Sequence, residues 1–195
     1  IYVFSGLMVW NIFSVGLTNS ANSMINNSLI IKKIYFPRLI IPVSSVLVAL
    51  FDFLMAFIVL LAMLIYYQHS VDWNAVLFWP LATIVASIGT LGLGAWLAAL
   101  NVKYRDFRYV IPFLVQVLFF LTPVIYPVSI LKYAFLQYLM ACSPMYAAIE
   151  LFRFPINGIS TPPFLLAISL VSSIIFLIVG VIYFKVTEDF FADIA

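Results

Sequence analysis

Three polar side chains set inside long apolar stretches have the type to do chemistry: Asn11, Asp52 and Gln116. General acid-base or nucleophilic work needs two or three polar groups converging in one pocket, and here no histidine or cysteine accompanies them. The single cysteine, Cys142, has no internal disulfide partner, and the single histidine, His69, is too far from it in sequence to share a metal. Gly89, Gly92 and Gly94 lie within an apolar run with no strand before them, so they are not a dinucleotide fingerprint. No Walker sequence occurs, so any ATP used with this protein must be bound by another chain. The acids Glu188, Asp189 and Asp193 read as a solvated terminus. The chain is therefore not expected to be an enzyme, nor to hold a metal or cofactor of its own.

The elements that carry these residues are set by composition. Of the 195 residues, 66% are hydrophobic and only 8% charged, with a mean hydropathy of +1.21, far from the make-up of soluble domains. This is the composition of a membrane protein. The net charge of +2 sits in short loops rather than along a groove, so nucleic acid is not an expected partner.

A helix needs about 20 apolar residues to cross a hydrocarbon core. Leu39 to Tyr66, Ala75 to Leu100, Tyr109 to Tyr126 and Phe164 to Tyr183 come near or exceed that length, and Ile1 to about Ala21 makes a fifth stretch. Only a helix satisfies its own backbone in such a run, so an all-α, polytopic bundle with five spans is predicted. The chain opens at Ile1 inside an apolar run without the features of a signal peptide. Residues 1–195 are read as a single transmembrane domain, truncated at its N-terminus.

Lys32, Lys33, Arg38, Lys103, Arg105, Arg108 and Lys185 fall on one side of these spans, and only Lys132 and Arg153 on the other. The positive-inside rule places the larger group, and the C-terminus, in the cytoplasm. Between Pro127 and Pro163 the chain is apolar but broken by proline, with room for short helices at Tyr133 to Ala141 and Met145 to Phe154. Both begin and end on the outer side. They form either a re-entrant hairpin, tolerated where protein or a wet cavity surrounds it, or a cap resting on the outer leaflet.

Asp52 lies near the middle of the second span, where a lipid-facing carboxylate costs roughly 2.5–3.5 kcal/mol on insertion scales. It is expected to face protein, on the side shared with Ser45, Ala49 and Ala56. It is either part of a polar pathway or a hydrogen-bonded structural residue. Ala82, Ala86, Thr90, Gly94 and Ala98 form a small-residue ridge on the third span that permits close helix packing.

Aromatic residues make up 17% of the chain. Interfacial belts explain many of them, but Tyr, Phe and Trp faces also stack on the C–H surfaces of sugar rings. Phe119, Phe120 and Tyr126 lie beside Pro123 and Pro127, where the fourth span must bend or end. The loop from Asn26 to Arg38 starts with N-cap residues and stops before Pro37. A short amphipathic helix at the membrane surface is predicted, either a simple anchor or an apolar knob for a groove on a soluble partner.

The run Asn-Ser-Leu-Ile-Ile-Lys-Lys-Ile-Tyr-Phe-Pro-Arg at 27–38, Asn-Val-Lys-Tyr-Arg-Asp-Phe at 101–107, Phe-Leu-Thr-Pro-Val-Ile-Tyr-Pro at 120–127 and Ser-Pro-Met at 143–145 occur in this order. Together with the tail Phe191 to Ile194 they resemble the ABC-2 permease subunits that export O-antigen, capsular polysaccharide or teichoic acid. The resemblance covers nearly the whole chain. It implies a six-span subunit of the inner membrane, of which five spans are present, that forms a homodimer and joins two copies of an ABC ATPase holding ATP and Mg. It implies that Asn27, Ser28, Leu29, Ile30, Ile31, Lys32, Lys33 and Tyr35 form the coupling helix. Tyr133 to Phe154 would be the external gate, and Trp10, Asn11, Phe119, Phe120, Tyr126 and Tyr146 would line the path of a lipid-linked glycan. An ABC-2 exporter of another lipid or drug, a proton-driven transporter using Asp52, and a membrane-embedded glycosyl- or acyltransferase are the other classes.

Overall fold

The fold comes from a computed structural model that describes residues 1–31, 33–34, 36–104, 106–128, 134–158 and 162–188. Among the described residues there is no strand. The helices are α1 (Tyr2–Asn26), α2 (Ser28–Ile31), α3 (Ile40–Tyr66), α4 (Phe78–Lys103), α5 (Phe107–Leu121), α6 (Ala134–Ala141), α7 (Pro144–Asn157) and α8 (Pro163–Thr187), with a 3-10 turn at Trp73–Ala75. This is the all-α membrane bundle that composition predicts.

Among the described residues α3, α8, and α4 with its preceding turn are long and apolar enough to cross a membrane unaided. α1 matches α8 in length at 25 residues but carries Asn11, Asn19, Asn22 and Asn26. α5 has 15 residues. It ends at Leu121 rather than Tyr126 because Thr122 precedes Pro123 and is extended, at φ −93° and ψ 140°, the conformation the proline ring imposes on its neighbour. The long helices alternate in direction between a basic end, carrying Lys33, Arg38, Lys103, Arg108 and Lys185, and a hairpin end that holds α6 and α7.

α4 is the axis of the bundle, packed by α1, α7 and α8. The predicted ridge is real: Ala82, Ala86, Thr90 and Ala98 are fully buried, and a Cβ on Gly94 would meet Ser20 Oγ at 2.6 Å. A second close approach joins α4 to α8, where a Cβ on Gly180 would run into the carbonyl of Gly92. Without a hydrophobic driving force between helices in lipid, such backbone contact supplies the van der Waals attraction that holds spans together.

The hairpin's second arm lies inside the bundle. Met145, Tyr146, Ala147, Ala148, Ile149 and Phe152 of α7 are all at 0% exposure and its Arg153 at 3%, so the helix is enclosed by protein on nearly every side. Of the two predicted placements the inserted hairpin is therefore the one found for α7. Ser143 caps its start by accepting from Met145 N at 3.3 Å. Ser169 of α8 accepts from Ala147 N at 2.9 Å and donates to the Ser143 carbonyl at 2.7 Å, so the orphan groups of that helix start are met. Gly158 closes α7 in the left-handed conformation, φ 61°.

Asp52 departs from expectation. The buried stripe of α3 runs Val46, Ala49, Phe53, Leu60 and Leu64, which puts Phe53 against the bundle and turns Asp52 onto an exposed face. Ala49 joins the packed face as predicted, while Ser45 and Ala56 flank it, half-buried.

Candidate functional site: the basic-end loop and the aromatic face

The basic-end loop is built outward from α1. Asn27 turns its side chain back to donate to the Ser23 carbonyl at 2.7 Å, while its own carbonyl accepts from Ile30 N at 3.0 Å and Ile31 N at 3.1 Å. That residue ends one helix and begins the next. Lys33 N and Ile34 N each reach the Ile30 carbonyl at 3.1 Å, carrying the turn past α2.

The turn sorts its apolar residues by direction. Ile31 is 8% exposed and packs with Met24, Ile41, Ala95, Ala98, Ala99 and Phe184. Leu29, Ile30 and Ile34 point out, at 72%, 50% and 62% exposure, with Lys33 exposed beside them and Ser28 half-buried. The outward apolar group is thus Leu29, Ile30 and Ile34, with Ile31 as its root. Lys32 and Tyr35 lie outside the described residues. Two contacts hold the loop's base: Arg38 donates to the Glu188 carbonyl, and buried Asn101 donates to the Ala21 carbonyl at 3.0 Å and to Asn22 Oδ1 at 3.1 Å.

Some of the predicted path residues converge. Trp10 lies 5.0 Å from Phe13 and 5.5 Å from Phe119, and Phe119 lies 5.6 Å from Phe120 in edge geometry. Trp10 is buried, Phe119 is half-buried, and Phe120 is exposed, as is Asn11. Tyr126 is half-buried and its hydroxyl donates to the Phe120 carbonyl at 2.7 Å, meeting one of the carbonyls freed where α5 stops. Tyr146 is not among them. It is fully buried in α7, grouped with Val128, Met140, Ala141 and Leu165.

One residue counted above only as an outer-side charge is the hub of the hairpin end. Arg153, 3% exposed, donates through Nη1 to Tyr2 Oη at 3.0 Å and to the Pro123 carbonyl at 2.8 Å, and through Nη2 to the Val124 carbonyl. Its guanidinium lies 3.9 Å from the Tyr2 ring centroid, and Glu150 Oε1 is 3.8 Å from Nη1. A Cβ on Gly6 would occupy the guanidinium's place. A cation one helical turn from Glu150 within an apolar run was the available signal.

With the basic-end loop, the aromatic face and the inserted hairpin described, comparison with known proteins identifies the family. The model of the ABC-2 type transporter family matches residues 1–157, which takes in every element from α1 to α7. The chain belongs to the ABC-2 type transporter family. This ABC-2 chain is similar to the O-antigen export system permease protein RfbA of Klebsiella pneumoniae, 30% identical over 202 residues, covering all of this chain and 74% of that protein. It is also similar to the O-antigen export system permease protein RfbA of Myxococcus xanthus, 32% identical over 145 residues, covering 74% of this chain and 55% of that one. The match thus spans about half the length of the Myxococcus relative and about three quarters of the Klebsiella relative.

Proposed function

We propose that this chain is the membrane-spanning subunit of an ABC exporter that moves a lipid-linked polysaccharide outward across the cytoplasmic membrane. Energy comes from ATP hydrolysed, with Mg, in a separate subunit present in two copies. The observation that carries the reading is the exposed apolar group Leu29, Ile30 and Ile34 on a rooted turn, beside basic residues, in a chain whose relatives are O-antigen export permeases. An exporter of the ABC-2 type draws its energy from an ABC ATPase, for which these residues hold no nucleotide motif. An exposed apolar group flanked by a lysine is a shape that seats in a groove of one.

In this reading the basic end is cytoplasmic, with the C-terminus on the same side. The group at Leu29 enters the ATPase, and closure of the two partner subunits moves it. Ile31 ties the turn to α1, α3, α4 and α8, so displacement at the loop is delivered to packed spans that move as bodies. Two copies of the chain form the passage between them. Asn11, Phe119, Phe120 and Tyr126 offer aromatic and amide surface to the glycan, with Trp10 packed behind Phe119, and stacking on ring faces tolerates many sugar patterns.

The test is genetic and chemical together. Loss of this chain in its host abolishes surface polysaccharide while lipid-linked polymer accumulates inside, and a soluble ATPase co-purifies with the full-length protein. Unchanged surface polymer in the deletion strain would contradict the reading.

A further inference from the structure

At the basic end, α1 and α3 diverge beyond the crossing where Gly16 approaches Ala49, a Cβ there lying 3.4 Å from the alanine methyl. A cleft of about 230 Å³ opens between them, lined by Asn19, Ser23, Asn26, Asn27, Ser44 and Ser45 with one valine. Among the described residues no acid or base lines it, although it opens beside the basic loop. Ser44 and Ser45 donate to the Ile41 carbonyl at 2.8 and 3.3 Å, which leaves their oxygens as acceptors. Asn19 and Asn26 are exposed, seven residues and so two turns apart on one face. Their amides make no hydrogen bond among the described residues, and each offers two donors and an acceptor.

Amides turned to hydrocarbon are costly, so this surface meets polar matter. Neutral lining discriminates against a phosphate and suits a group that both donates and accepts without charge. The volume is below the roughly 300–1,000 Å³ of pockets that hold drug-sized ligands, and fits a single ring. We propose that the α1/α3 cleft is the loading site for one neutral sugar unit of the polymer, read through its hydroxyls by Asn19 and Asn26. The proposal rests on the glycan-export reading. It adds a link to energy coupling, because Asn27 lines the cleft and its backbone also starts the turn that bears Leu29. A bound sugar therefore sits against the hinge of the coupling turn.

The test uses the full-length protein with its ATPase, in a Cys142→Ser background carrying Asn19→Cys or Asn26→Cys. Inverted membrane vesicles are treated with a membrane-impermeant maleimide, prepared either from cells making the lipid-linked polymer or from cells blocked in its synthesis. The expected result is rapid labelling without polymer and labelling about tenfold slower with it, since in each variant the remaining asparagine still holds the sugar over the thiol and the protection reports occupancy of the cleft. Equal rates in the two preparations, or no labelling in either because another helix covers the cleft, would overturn the proposal. A second variant, Asn19→Leu with Asn26→Leu, is expected to lose most export while still co-purifying with the ATPase. Normal export by that variant would sink the cleft assignment and leave the exporter reading intact. Surface polymer unaffected by loss of the whole chain would sink the exporter reading itself.

Discussion

Arg153 and Tyr2, 151 residues apart, are joined twice over: the guanidinium packs on the tyrosine ring at 3.9 Å and donates to its hydroxyl at 3.0 Å. The same guanidinium reaches the Pro123 and Val124 carbonyls where α5 has stopped. One side chain thus ties the start of α1, the break after α5 and the inserted α7 into a single unit.

Replacing Arg153 with Met should strip two carbonyls and Glu150 of their partner at once. Removing one member of a buried charged network costs about 3–5 kcal/mol, so a large fall in the melting temperature of the detergent-solubilised protein is expected. Arg153→Lys should recover only part of it, because an ammonium cannot reproduce the planar fork that serves the tyrosine and both carbonyls together. A melting temperature unchanged in Arg153→Met would show that the hairpin is held elsewhere.

At the α4/α8 crossing, Gly180→Ala would push a methyl into the Gly92 carbonyl. Because the obstacle is backbone, the helices must separate, and overpacking of this kind costs about 1–3 kcal/mol or more. Gly158→Ala meets nothing within 4 Å among the described residues, but its φ of 61° strains any side chain. Thermal melting of the two variants should rank Gly180→Ala as the more damaging. The reverse order would contradict the close approach.

Gln68 closes α3 at φ 50°, with its N–H bonded to the Ile65 carbonyl at 3.2 Å and His69 N to the Leu64 carbonyl at 3.0 Å. This is a Schellman closure with glutamine where glycine is preferred. Gln68→Gly should stabilise the protein by about 1 kcal/mol, the strain of a left-handed residue. A rise of a few degrees in melting temperature is the check, and a fall would mean that the glutamine side chain holds something the backbone does not.

The division between what could be read from residues and what could not follows the physics of each signal. Long apolar runs permit only helices, so the α3, α4 and α8 spans and the two hairpin arms were legible, as was the packing ridge from Ala82 to Ala98. The exposure of Asp52 was not, since a one-residue rotation of α3 decides whether position 52 or 53 faces the bundle, and both Ala49 and Ala56 fit either choice. Nor could the sequence say which isoleucine of the basic-end turn is its root: the turn's phase, fixed by the Asn27 carbonyl, sends Ile31 inward and Ile34 out. Thr122 before Pro123 held the signal for the early end of α5, which apolar length alone overrode. Counting charges by side of the membrane puts Arg153 on the outer side but is blind to which helix face it occupies, and so to its burial. For the proposed path, Trp10 and Phe119 meet as their aromatic character allows, whereas Tyr146 is drawn into α7, where a hydrophobic interior takes a large ring as readily as a channel does.

The role of the basic-end turn is tested by Leu29→Asp with Ile30→Asp, which puts charge on the outward face and leaves the root Ile31 in place. Export of surface polysaccharide and recovery of the ATPase with the affinity-tagged full-length protein are measured in the same cells, with membrane levels of the variant as the control for folding. Normal membrane levels, loss of co-purifying ATPase and loss of surface polymer are expected. Normal co-purification together with normal export would contradict that role.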